Sequence, residues 1–228
     1  MKTSSLSLLT AGFILALTSC GTDATTDAQK AKDKTEGQTI ADKQKDNIGE
    51  FVENGRYKII NAKSSVGWKA TKVSGEHFGS VSISQGGLEV KSDLLADAEI
   101  VIDMSTITVD DMEGEYADKL RGHLHSEDFF NTAMYPTAAF NLSGVKYIDG
   151  QYQATGMMRI KDTTGPVTFP LSIAPGQNGS VLLTGTAIID RTKYGIQYRS
   201  GQFFEDLGDK LIDDEFELKF SLAAEPLS

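Results

Sequence analysis

Beyond about residue 55, apolar side chains recur at every second position. In SSVGWKATKV, Val66, Trp68 and Ala70 alternate with polar neighbours. In GSVSISQGG, Val81 and Ile83 alternate with serines before Gln85-Gly86-Gly87 turns the chain. In DEFELKFSLAAE, Phe216, Leu218, Phe220 and Leu222 share one phase, and Glu217, Lys219 and Ser221 the other. This period marks a strand with one buried face. ADAEIVIDMSTITV is apolar on both phases, as in a strand covered on two sides. The stretch from Pro136 to Ala174 reads as three strands. They are separated at Asp149-Gly150, a strong hairpin signal, and at Thr164-Gly165-Pro166. A further strand follows Asn178-Gly179.

One segment breaks the rhythm. In DDMEGEYADKLRGHL, Tyr116, Leu120 and Leu124 fall at helical spacing and predict a short helix. The expected class is therefore all-β, with about eight antiparallel strands closing into a barrel or pairing as a sandwich. A closed sheet of about eight strands is just wide enough to be filled by its own side chains or to hold one small ligand. Small residues on inward phases, such as Ala154, Gly156, Gly185 and Ala187, favour a hollow centre, although tight bends use them too.

The chain opens MKTSSLSLLTAGFILALTSC. Lys2 precedes a mostly apolar run from Leu6 to Leu17, shorter than the roughly 20 residues that a spanning helix needs. That is the layout of a secretory signal peptide over residues 1–19. Its end, Leu17-Thr18-Ser19-Cys20, resembles the bacterial lipobox. The resemblance implies cleavage before Cys20 and attachment of palmitate-like acyl chains to it. Two such chains hold a protein to a membrane stably, and one only marginally. Cys20 is the only cysteine among the 228 residues, so no intramolecular disulfide can form. Residues 21–50 are polar, mixed in charge and, a few alanines apart, free of apolar side chains other than Ile40 and Ile48, the composition of a flexible leash, and the linker is expected over residues 20–54. Residues 55–228 make one domain of ordinary size. The net charge of −10 argues against nucleic acid and against adhesion to anionic lipid through charge.

The candidate chemistry lies in RGHLHSEDFFNTAMYPTAAF, residues 121–140. His123 and His125 have a metal-like spacing, but only Glu127, Asp128 and His77 offer further donors, and no Cys pair exists. Ser126 lacks the flanking glycines of a nucleophile elbow. A structural role accounts for more of the residues. His123 suits a helix end, Ser126 a turn, Tyr135-Pro136 a non-helical entry into a strand, and Phe129, Phe130 and Phe140 a cap. No catalytic residue, metal or cofactor is expected.

The same stretch resembles the YceI-like family motif at Arg121, His123, Leu124, Ser126, Phe129, Phe130, Tyr135, Pro136 and Phe140. SSVGWKATKVSGEHFGSV, ATGMMRIKDTTGPVTFPL and AIIDRTKYGI are similar to three further family motifs, in order, so the likeness spans about residues 57–222. The family often has an acidic residue where Gly122 stands, and a glycine near Asp162 or Thr163. The resemblance implies an elongated, lipocalin-like antiparallel barrel with a long apolar interior. Several members carry polyisoprenyl compounds, quinones or other long-chain lipids, and many are periplasmic.

The expected ligand-lining residues are Trp68, Phe78, Ile100, Ile102, Phe129, Phe130, Phe140 and Met158. The expected protein is no enzyme. It is a lipoprotein of the bacterial cell envelope, at the outer membrane's periplasmic face or the cell surface, which sequesters or carries a long apolar lipid. The competing expectation is a filled barrel serving as a structural or interaction protein. The partners expected of the carrier are an apolar lipid and a membrane reached through the acyl anchor, with no nucleic acid and the oligomeric state open.

Overall fold

The computed structural model describes residues 48–227. The signal segment, Cys20 and the leash up to residue 47 lie outside the described residues. Nine strands carry the fold: β1 (Gly55–Ile59), β2 (Ser65–Lys72), β3 (Gly75–Lys91), β4 (Leu94–Asp103), β5 (Thr137–Ile148), β6 (Gln151–Ile160), β7 (Thr163–Pro175), β8 (Val181–Asp190) and β9 (Ile212–Pro226). One helix, α1 (Gly114–His125), interrupts them. All pairings are antiparallel, and β3 pairs with β4 to close the sheet.

The nine strands fill eight positions, because β1 and β2 share one. Both lie between β3 and β9, β1 opposite Gly87–Val90 and β2 opposite Gly75–Val81. A single turn at Asn61–Lys63 breaks this strand. The Asn61 side chain donates to the Ile83 carbonyl at 2.7 Å and ties the break to β3. The barrel expected from period two and from the family resemblance is thus present, and the sandwich is not.

Tight turns join the hairpins at one end. Ser92-Asp93 and Asp149-Gly150 each hold two residues at positive φ, the twist that suits a two-residue hairpin. The break expected at Thr164-Gly165-Pro166 falls earlier, at Lys161-Asp162, with Lys161 at φ 56°. Gly165 and Pro166 lie inside β7, facing Met158 and Met157 of β6. They are tolerated because β7 pairs with β8 only from Leu171 to Pro175. Proline has no N–H to donate, so Pro166 and Pro170 sit where a second partner is not needed.

The hairpin end is filled. Ile48, Val52, Ile59, Val90, Val181 and Ala224 are all buried there. Ile48 and Val52 come from a stretch whose composition reads as leash, yet the Ile48 N–H donates to the Asp93 carbonyl at 2.7 Å. Asn54 and Asp93 exchange two further hydrogen bonds. The opposite end is covered by α1, by the strap that follows β4 (residues 104–112) and by the long connection from β8 to β9 (residues 191–211). Helix α1 buries Ala117 and Leu124, whereas Tyr116 points out to solvent. The true stripe is therefore Ala117, Leu120 and Leu124. No helix among the described residues is long and apolar enough to cross a membrane.

Candidate functional site

Inward phases of every strand converge on the barrel axis, and they do not fill it. An outer lobe lies beneath the covered end, walled by Trp68, Leu124, Phe129, Phe130, Met104 and Phe216, among others. A deeper lobe lies toward the hairpin end, among Ile100, Phe140, Ala154, Phe169, Leu183 and Phe220. Each is a cavity of about 80 Å³. Both expose only apolar surface. Apolar voids of this kind stay dry and accept apolar guests.

Most of the expected lining residues face this interior. Trp68, Phe129 and Phe130 wall the outer lobe, Ile100 and Phe140 the deep one, and Ile102 and Met158 both. Phe78 does not reach it. Its neighbours in phase on β3 are outward, its side chain is 44% exposed, and Gly79 and Val81 take the inward places. The sequence carried that signal, since Phe78 is three residues from Val81 and so in the opposite phase. Leu218, Phe220 and Phe169 were not named as lining, although the alternation of β9 already turned Leu218 and Phe220 inward.

The small inward residues divide. Ala154 and Ala187 leave room in the deep lobe. Gly156 and Gly185 are seats for rings. A Cβ on Gly156 would overlap Phe140, and one on Gly185 would lie 2.6 Å from the ring tip of Phe220. The rings of Phe140, Phe169 and Phe220 follow one another at 5.3 and 5.4 Å, tilted or edge-to-face. That is the favourable arrangement for aromatic quadrupoles.

The covered end is built from the histidine-bearing stretch. His123 lies in the last turn of α1 with its ring 4.6 Å from that of Tyr198 and 5.4 Å from that of Phe129. Its Nδ1 is buried without a partner, and its Nε2 is 3.6 Å from Asp128. His125 instead pairs with Thr132 at 2.8 Å, and His77 with Asp111 at 2.8 Å. The three histidines thus have separate neighbourhoods. No group of three His, Cys, Asp or Glu side chains among the described residues could hold a metal ion. Ser126 ends the helix, its N–H and its hydroxyl both donating to the His123 carbonyl.

Behind β8, Asp190 caps a turn by accepting from the Thr192 N–H and hydroxyl, and Gly195 leaves that turn at φ 72°. Arg191 between them is 4% exposed. Its guanidinium donates to the carbonyls of Ile196, Ile212 and Asp213 at 2.9 to 3.0 Å. Burial lowers its pKa, and Asp214, Asp190 and Asp213 oppose the shift. Tyr194, buried beside Gly165, is pushed up by burial and by Asp190.

The strap carries its own charge device. Burial raises the Asp111 carboxyl, but hydrogen bonds from His77 and the Phe78 N–H outweigh it, so Asp111 titrates below its ordinary value. A depressed carboxylate supports the folded state above the unfolded pKa of about 3.9, and that support is lost as pH falls through the lower folded value. Trp68, the only tryptophan, donates to the Thr108 carbonyl of the same strap at 3.0 Å. Its emission should stay constant from neutral pH down to about 4 and shift to the red below. Asp111→Asn should abolish that acid step. A shift that persists in Asp111→Asn would assign the step to another group.

Comparison with known proteins agrees with this geometry. The YceI-like domain model matches residues 57–224. Similar solved structures include Burkholderia cenocepacia BcnA, 24% identical with a TM-score of 0.58, covering 73% of this chain and 99% of that one. They also include a polyisoprenoid binding domain from Saccharophagus degradans implicated in plant cell wall breakdown, 14% identical with a TM-score of 0.55, covering 75% and 98%. At such identities the likeness is one of fold. No curated protein matches the chain.

Proposed function

The chain belongs to the YceI-like domain family, and we propose that its barrel sequesters or carries a long apolar lipid while Cys20 tethers it to a bacterial envelope membrane. The observation that carries the reading is an interior of apolar surface, filled at the hairpin end and roofed at the other. Such a site acts by binding and performs no reaction. Each buried methylene contributes about 0.8 kcal/mol, so a hydrocarbon chain binds without polar contacts along its length. The polyisoprenoid bound by the Saccharophagus degradans domain is of this class. Arg191 is already committed to three carbonyls, so a head group would be held by other groups at the roofed end.

One preparation tests both parts. The intact chain should fractionate with membranes, and the chain without residues 1–19, with Cys20→Ser, should not. Detergent-free Cys20→Ser protein, extracted with organic solvent, should yield an apolar lipid, and its native mass should exceed that of the bare chain. A native mass equal to the bare chain, with an empty extract, would leave only a filled or empty scaffold. If that chain, free of residues 1–19 and with Cys20→Ser, stays in the membrane fraction, the tether is refuted.

A further inference from the structure

The two lobes share three wall residues: Ile102 of β4, Met158 of β6 and Leu218 of β9. These strands approach the axis from different sides of the barrel. The two lobes therefore adjoin at these side chains, which form the waist between them. They differ in mobility. Ile102 is β-branched and stiff at χ1. Leu218 has one branch point. Met158 is unbranched, with three rotatable bonds and a polarizable sulfur that adapts to irregular contacts. Met158 faces Phe140 on β5 and Gly165 on β7, and the Tyr194 ring takes the place that a side chain on Gly165 would fill.

We propose that Met158 is the gate of the waist and fixes which lipids enter the deep lobe: flexible single chains, acyl or isoprenoid, pass it, and fused-ring lipids stop in the outer lobe. This rests on the carrier reading. Beyond the waist the walls hold no charged or hydrogen-bonding side chain, so only hydrocarbon gains by going deeper. The far end is filled by Ile48, Val52, Ile59 and Ala224, so the deep lobe also sets a maximum chain length. A tail that stays in the outer lobe forgoes the gain of each further methylene, about fourfold in affinity.

The test uses the chain from residue 20 onward with Cys20→Ser, delipidated and free of detergent, with octanoate, palmitate and cholesterol as probes and native mass spectrometry as readout. The parent should bind palmitate more tightly than octanoate and bind cholesterol weakly. Met158→Trp, which places a rigid ring in the waist, should weaken palmitate at least about tenfold more than it weakens octanoate. Met158→Ala should strengthen cholesterol relative to palmitate, and Met158→Leu, branched and stiffer, should fall between the parent and Met158→Trp. If Met158→Trp does not fold, the cholesterol gain in Met158→Ala decides alone. Equal losses of octanoate and palmitate in Met158→Trp, or no cholesterol gain in Met158→Ala, would overturn the gate. Failure of the parent to bind either fatty acid would instead sink the carrier reading.

Discussion

Gly79→Ala is expected to lower the stability of the domain by about 3 kcal/mol, the upper range for forcing atoms into a packed site. A Cβ there would overlap the Thr108 carbonyl and come within 2.8 Å of Trp68 Nε1. The hindrance is backbone on one side, so a rotamer change cannot relieve it. The strap must move, which strains its bonds to β3: Thr108 N–H to the Ser80 carbonyl and Asp110 N–H to the Phe78 carbonyl, both 2.9 Å. The Trp68–Thr108 bond is lost with it. For a domain of this size the melting temperature should fall by roughly 6–12 °C, at the usual 2–4 °C per kcal/mol. Trp68 emission should shift to the red already at neutral pH. Gly67→Ala is the control. Its nearest atoms are backbone oxygens at 3.5 and 3.9 Å, ordinary contact, and it should stay within about 0.5 kcal/mol of the parent. If Gly79→Ala melts like Gly67→Ala, the strap is not seated as described.

Gly79 illustrates which parts of the fold were written in the sequence. Alternation turned Phe216, Leu218, Phe220 and Leu222 inward, and Asp149-Gly150 marked a hairpin, because both are local consequences of backbone period and positive φ. The helix was legible from its spacing, although Tyr116 sits beside the stripe and only packing separates it from Ala117. Long-range facts were not legible. Nothing local says that β1 and β2 share one barrel position, that Ile48 and Val52 fill an end, or that Phe140 and Phe220 rest on Gly156 and Gly185. Those depend on residues brought together by closure of the sheet. Seven of the eight expected lining residues reach the interior, Trp68, Ile100, Ile102, Phe140 and Met158 from inward strand phases and Phe129 and Phe130 from the turn after α1. Phe78 failed because aromatic size outweighed its phase. The waist was invisible for the same long-range reason: Ile102, Met158 and Leu218 are far apart in the chain.

Arg191→Met is the second large expected effect, again about 3 kcal/mol, because buried hydrogen bonds from a charged donor are worth about 1.5–3 kcal/mol each and the apolar replacement recovers part of the loss. It leaves the carbonyls of Ile196, Ile212 and Asp213 without their donor in a site closed to water. The connection over residues 191–211 then has its capped turn at Asp190–Thr192 and few other bonds to hold its return to β9. Loss should be local before it is global. Amide exchange should accelerate at Ile196, which donates to the Arg191 carbonyl, and at Ile212, which donates to the Arg199 carbonyl. Amides of β5 and β6, across the barrel, should change little. Arg191→Lys keeps the charge but cannot fork toward three carbonyls, so it should fall between parent and Met variant. Should Arg191→Lys match the parent in both melting temperature and exchange, the guanidinium contributes charge alone and does not clamp the roof. Should Arg191→Met exchange faster everywhere equally, the roof and the barrel unfold as one unit, and a lipid could enter only through global opening.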